Sequence, residues 1–174
     1  MLKLQYVLKN NENMKTPIKL AVFDMAGTTI KNDTVEEALE VFEALQQLGI
    51  KIGLTTNLDR DTGNLLLERV GWKEHPLIDI TVCSDEVSKG RPNPDMILQM
   101  MAALGIGSPS EIIKIGDTVA DILEGHQSGC LMSIAITSPS FSYDELLTAQ
   151  PTYILNSLSE IIPIVEKELI KIPE

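Results

Sequence analysis

Aromatic residues make up only 4% of this 174-residue chain, and cysteine occurs twice. An aromatic-rich core is thereby excluded, and Ile, Leu, Val and Ala, the bulk of a 44% hydrophobic share, must build it instead. Cys83 and Cys130 stand in apolar surroundings without CxxC spacing, which argues against a disulfide framework and for a reduced, cytoplasmic protein. Cations are also scarce. Fourteen Lys and Arg face twenty-five Asp and Glu, and the net charge of -11 repels nucleic-acid backbones and anionic lipid heads. Neither nucleic acid nor membrane is an expected partner. A small anionic substrate must then be held by a local cation or a metal. No apolar run approaches the roughly 18 residues of a membrane span, and residues 1–15 lack the continuous apolar segment of a signal peptide. The length fits one ordinary domain and leaves no room for a second full one.

The first twenty residues carry Lys3, Lys9, Lys15 and Lys19 against Glu12 alone, so their charge is opposite to that of the remainder. Residues 1–16 are read as an appendage, with a weak strand-like alternation from Leu2 to Lys9, and residues 17–174 as a single core domain. From Ile18 onward, short β-branched runs alternate with amphipathic segments. Strands are predicted at 18–24, 51–55, 79–83, 112–116 and 131–136, with a short sixth at 152–155. Helices are predicted at 35–48, 62–70, 94–104, 119–128, 143–149 and 159–170. Thr34 and Glu37 have capping-box spacing, and Gly49 marks the end of that helix. Strict alternation of strand and helix implies an α/β fold, a three-layer doubly wound sandwich with a parallel sheet. Ligands in such sheets sit beyond the carboxyl ends of the strands, where strand order reverses.

Those strand ends carry polar groups. The first ends in Asp24 followed by Met25, Ala26, Gly27, Thr28 and Thr29. A carboxylate opening into a Gly-containing loop can be a metal ligand or nucleophile beside an anion-binding backbone, or simply a turn Asp. Thr56 and Asn57 end the second strand, where they can donate to phosphate oxygens or cap a helix. Lys89 and Arg91 flank a proline-stiffened helix start, where cations oppose the helix dipole and suggest an anion, although a solvated basic turn has the same composition. Asp117 and Asp121 follow the fourth strand at a spacing that puts both on one face, suited to a divalent cation or to capping. Together these groups can hold Mg2+ and a phosphoryl group in one crevice.

Four ordered segments, DMAGTT from Asp24, the strand-end Thr56, GRPNPD with Arg91, and GDTVAD with Asp117 and Asp121, resemble the motifs of the haloacid dehalogenase superfamily of phosphohydrolases. The resemblance runs from Ile18 to about Val165, and Ala26 and Arg91 bring it nearest to phosphonatase and phosphonatase-like hydrolases. It implies a Rossmann-like core in which Asp24 attacks phosphorus and forms an aspartyl-phosphate. Mg2+ would be held by Asp24, the Ala26 carbonyl oxygen and Asp117, with Asp121 acting through water or by orienting the other ligands. Gly27, Thr56, Asn57 and Arg91 would bind the phosphoryl oxygens, and Arg91 would neutralise developing charge. The implied catalytic set is therefore Asp24, Thr56 and Arg91.

Two departures from the family pattern shape the expectation. Most phosphatases of the superfamily have a second Asp where Ala26 stands, and alanine cannot serve as general acid or base. Phosphonatase tolerates this through a cap-domain Lys that forms a Schiff base with its aldehyde substrate. Here only 32 positions separate Asp24 from Thr56, enough for one helix and one strand, so neither the cap nor its Lys is expected. The interval from Asn57 to Arg91 is filled in the same way. The sequence thus predicts a capless, Mg2+-dependent hydrolase of limited or altered activity. Its substrate is a small phosphorylated or phosphonate compound or an exposed phosphate on a larger molecule, with a neighbouring subunit of a homo-oligomer available to exclude water. The alternative is a degenerate module that binds metal and phosphate, or acts as a scaffold, without efficient turnover.

Overall fold

A computed structural model describes residues 18–30 and 35–170. Six strands and six α-helices alternate among them: β1 (Leu20–Asp24), α1 (Glu36–Gln47), β2 (Lys51–Thr56), α2 (Arg60–Arg69), β3 (Ile80–Cys83), α3 (Asp95–Leu104), β4 (Ile112–Gly116), α4 (Val119–Ser128), β5 (Met132–Ile136), α5 (Tyr143–Leu147), β6 (Tyr153–Leu155) and α6 (Ile161–Ile170). Every predicted element is present within two residues at nearly all boundaries. Helix α2 begins earlier than its apolar periodicity suggests, because Asp59 caps it by accepting the Thr62 N–H at 2.9 Å. The predicted appendage and Thr34 lie outside the described residues. Glu37 accepts the Ser159 N–H at 3.1 Å and so ties α1 to the turn before α6. Gly49, at φ 79°, follows the end of α1 as expected.

The sheet order is β3-β2-β1-β4-β5-β6 and every pairing is parallel. Strand order reverses between β1 and β4, and the crevice beyond their carboxyl ends is the expected binding position. Side-chain alternation divides the sheet between two cores. Ala21, Phe23, Ile52, Leu54, Ile113 and Ile115 face the core that also takes Ala38, Val41, Phe42 and Leu45 of α1 and Ile161, Val165 and Leu169 of α6. Leu20, Val22 and Ile112 face the opposite side, against Met96, Ile97 and Met100 of α3. Ile122 of α4 packs with Ala135 and Leu146 on a smaller cluster.

The few aromatic residues are concentrated. Phe42 stacks obliquely between Phe23 and Trp72, with ring centroids 5.0 Å and 5.4 Å away, and all three are essentially buried. Truncating Phe42 removes the centre of this group. Phe42→Ala is expected to lower unfolding free energy by about 3–5 kcal/mol in urea denaturation; a loss below about 1 kcal/mol would show that the α1 side of the core collapses into the space. Both cysteines are free, as expected, Cys83 buried and Cys130 half-buried. Among the described residues no helix is long and apolar enough to cross a membrane. Between Asp24 and Thr56 the described residues form one loop, one helix and one strand, without an inserted domain.

Candidate active site

Period-two alternation decides which polar side chains share the crevice. In β1, Leu20 and Val22 face the α3 side, so Asp24 follows them there; in β4, Ile112 faces that side and Lys114 follows. In β2, Ile52 and Leu54 face the opposite core, which leaves Thr55 on the same side as Asp24. Asp24 and Thr55 are direct cross-strand partners, and Val22 pairs with Lys114. Asp24, Thr55 and Lys114 therefore form a polar row across three adjacent buried strands. Helix α4 closes over that row with Asp121 and Glu124, and the turn after β4 adds Asp117.

Loop 25–30 is fastened at both ends. The Thr29 and Ile30 N–H groups donate to the Met25 carbonyl, and the Thr29 hydroxyl reaches the Asp24 and Met25 carbonyls at 3.0 and 3.1 Å. The Thr28 hydroxyl donates to Asp117 Oδ1 at 2.8 Å, joining the loop to the fourth strand end. Gly27 has φ 90°, and a Cβ there would come within 2.5 Å of Asp117 Oδ2. Only glycine lets the loop turn this closely around that carboxylate. Gly116 has an equivalent need, since its Cβ would lie 2.2 Å from the Asp121 carboxyl carbon. Asp121 is fixed further by Thr118, whose hydroxyl and N–H donate to Oδ2 at 2.6 and 3.2 Å, and whose Oγ1 accepts the Asp121 N–H.

Arg91 connects the parts. Its side chain is only 3% exposed; Nη1 lies 2.5 Å from Asp24 Oδ1 and 2.9 Å from Asp121 Oδ1, while Nη2 donates to Thr55 Oγ1 at 2.6 Å. Nε donates backwards to Glu124 Oε2 at 3.1 Å. Burial disfavours the guanidinium charge, but Asp24, Asp121 and Glu124 outweigh it, so Arg91 stays protonated at any ordinary pH. Burial pushes the Asp24 carboxyl up to about 7 despite Arg91, with Asp121 adding to the rise and Lys114 opposing it. For Asp121 burial acts the same way, yet Lys114 and Arg91 together prevail and its pKa is lowered.

The residues present fit a divalent cation. Asp24, Asp117 and Asp121 are all buried and offer ligand atoms within 4.8 Å of one another. Oxygen-only donors of this kind suit a hard cation such as Mg2+. With all four carboxylates ionised, Asp24, Asp117, Asp121 and Glu124 exceed the two buried cations Arg91 and Lys114 by two negative charges, as many as one divalent ion offsets.

The other candidates are distributed unequally. Lys89 is exposed and uses its N–H to bind Asp95 Oδ2, so Arg91 rather than Lys89 enters the crevice. Thr56 is buried, and its Oγ1 accepts the Leu58 N–H at 3.2 Å; its neighbour Thr55 makes the contacts with Arg91. Asn57 is exposed beyond the strand, beside Gly90, and Ala26 is exposed at the outer turn of the loop. The sequence reading passed over Thr55, Lys114 and Glu124. A lysine inside the apolar run Ile112–Gly116 was the available signal. A cleft of about 320 Å3 beside β3, lined by Arg60, Trp72 and His75 among others, shares no residue with the cluster.

Comparison with known proteins agrees with this architecture. The chain is 35% identical over 98 residues to a phosphonoacetaldehyde hydrolase of Bacillus cereus strain AH187, a match covering 55% of this chain and 36% of the relative. It is 28% identical over 130 residues to pyrophosphatase PpaX of Bacillus pumilus, covering 75% of this chain and 58% of that protein. The chain thus spans well under two thirds of the length of these relatives. A crystal structure of a phosphonoacetaldehyde hydrolase-like protein from Oleispira antarctica superposes with a TM-score of 0.72 at 19% identity, over 91% of this chain and 96% of that one, a likeness of fold. The haloacid dehalogenase-like hydrolase family matches residues 5–135, three quarters of the chain, and with the ordered strand-end motifs now gathered around one crevice, the chain belongs to that family.

Proposed function

We propose that this protein is a Mg2+-dependent phosphohydrolase that works through a covalent aspartyl-phosphate on Asp24. The observation that carries the reading is the position of Asp24, at the end of β1 where strand order reverses, with Arg91 Nη1 on its carboxylate and Asp117 and Asp121 beside it. Asp24, Asp117, Asp121 and the Ala26 carbonyl would hold Mg2+, which would supply positive charge to neutralise the phosphoryl oxygens.

The Asp24 carboxylate attacks phosphorus, and the bond from phosphorus to the leaving-group oxygen breaks. Arg91 transfers its Nη donors from Asp24 and Thr55 to the phosphoryl oxygens, where a bidentate guanidinium stabilises charge spread over the transition state. Thr56 and Asn57, with the Gly27 amide once it exchanges the Ile30 carbonyl for a phosphoryl oxygen, complete the phosphoryl site. The leaving group takes its proton from water, since Ala26 has none to give. Water then attacks the aspartyl-phosphate, phosphate leaves and Asp24 is restored. Substrates with good leaving groups are therefore favoured.

Among the described residues no lid covers the crevice, which suits an exposed phosphate or a site completed by a second subunit. A screen of aryl, acyl and alkyl phosphates with and without Mg2+ tests the reading. Acyl and aryl phosphates are expected to be hydrolysed, with activity lost in excess EDTA and regained with Mg2+; metal-independent turnover, or none for the activated substrates, refutes it. Phosphonoacetaldehyde is expected to remain intact, because among the described residues no cap supplies a Schiff-base lysine. The exposure of Ala26 where an acid–base residue would stand favours one alternative, a module that binds Mg2+ and phosphate without turnover. Saturable phosphate binding combined with an empty substrate screen would select it.

A further inference from the structure

Lys114 is wholly buried in the middle of an otherwise apolar strand, a position that is unfavourable for an ammonium unless every donor is matched. One donor makes a hydrogen bond and the charge is met by two ion pairs, with Asp121 Oδ1 and Glu124 Oε1 left without hydrogen-bond partners. Nζ donates to Thr55 Oγ1 at 3.0 Å and lies 2.9 Å from Asp121 Oδ1 and 3.2 Å from Glu124 Oε2. Glu124 is equally buried and uses the same Oε2 for Arg91 Nε. Helix α4 can bring Glu124 this close to β4 because residue 125 is glycine; a Cβ there would stand 3.0 Å from Lys114 Cβ and 2.2 Å from Ser133 Oγ.

A guanidinium is planar, so anchoring Nε from behind fixes the direction in which the two Nη groups point. In this arrangement Nε is held by Glu124, and the Nη groups face Asp24 and Thr55. Lys114 pairs with the same Glu124 oxygen, holds the acceptor oxygen of Thr55 and forms an ion pair with Asp121. We infer that Lys114 and Glu124 are a positioning pair, which aims Arg91 at the phosphoryl site and keeps its second partner, Thr55, in register. The chemistry of this inference rests on the phosphotransfer reading; its geometry does not. Neither residue is assigned contact with substrate or metal.

A pair that served stability alone could be exchanged for apolar side chains of similar volume with little loss, and often with a gain. The Lys114→Met, Glu124→Met double variant uses that difference. It is expected to melt at or above the wild-type temperature, to bind inorganic phosphate in the presence of Mg2+ about 10-fold more weakly, and to turn over the best phosphoester at least 10-fold more slowly. Arg91→Ala is expected to weaken phosphate binding by at least as much, and adding it to the double variant should produce little further loss beyond that of Arg91→Ala alone. A stable double variant with wild-type phosphate affinity, or losses that add in full, overturns the inference. Should the double variant fail to fold, Glu124→Gln, which keeps shape and an acceptor, is read by NMR: exchange of the Arg91 Nε–H with water should accelerate about 10-fold or more, and unchanged protection overturns the inference. This readout needs no turnover. If the wild type hydrolyses nothing, the phosphotransfer reading falls, while the exchange measurement still decides the positioning.

Discussion

Asp24→Asn is expected to reduce Mg2+-dependent phosphoester hydrolysis by at least about 10^4-fold, to the level of the buffer, because the reaction is routed through one oxygen of that carboxylate. An amide nitrogen or carbonyl oxygen in its place neither attacks phosphorus usefully nor yields a hydrolysable acyl phosphate. The substitution is nearly isosteric, and Arg91 retains Asp121, Glu124 and Thr55 as partners, so the fold should survive. Circular dichroism and a thermal melt establish that survival. Incubation with an activated phosphate followed by acid quench provides a second reading, since wild-type protein should carry a labile phosphoryl group and Asp24→Asn none. Residual activity above about one hundredth of wild type in a folded variant would assign the nucleophile elsewhere. The variant also loses one of three carboxylates suited to Mg2+, so affinity for the metal should weaken as well.

The second consequence follows from the charge of the cluster, whose carboxylates outnumber its cations by two. Arg91 spans Asp24 and Asp121, and burial still raises the Asp24 carboxyl to about 7. Two buried cations do not fully offset four buried carboxylates.

Much of this was legible in the sequence, and the limit of legibility follows a physical line. Chain-local features were readable: the period of each element, the polar residues where strands open, Gly49 behind α1, and the short interval between Asp24 and Thr56. Register across strands was not. Whether Thr55 or Thr56 faces Arg91 depends on the parity of β2 against β1, which pairs Asp24 with Thr55 and sends Leu54 to the opposite core. A one-residue change in parity reverses the answer, and composition does not reveal it. Lys114 was missed for a related reason. In a single strand it looks like an ordinary surface lysine, and only α4, lying across β4 with Asp121 and Glu124, makes the position interior. The Gly-Asp-Thr turn could be read as a carboxylate site, while the cation two residues before that turn could be understood only with its partners in place.

The second large effect concerns the residue that is missing. Ala26 is exposed on a loop whose shape is fixed by the bonds of Thr29 and Ile30 to Met25, by the Gly27 N–H to the Ile30 carbonyl, and by Thr28 to Asp117. Because Ala26 is exposed, side-chain atoms added there need displace no core residue. Ala26→Asp should therefore place a carboxyl group two residues from the nucleophile without moving it. General acid–base catalysis is typically worth about 10^2- to 10^4-fold, and turnover of an unactivated alkyl phosphate is expected to rise by at least about 10^2-fold. Aryl and acyl phosphates should gain less, because their leaving groups depart with little protonation; whatever they do gain reports on base-assisted hydrolysis of the aspartyl-phosphate. The comparison of kcat for the two substrate classes, with Mg2+ saturating for each protein, separates the two roles. Equal or lower alkyl-phosphate turnover in a folded, Mg2+-binding Ala26→Asp protein would mean that position 26 does not face the leaving group, and the loop would then have to present its substrate from another direction.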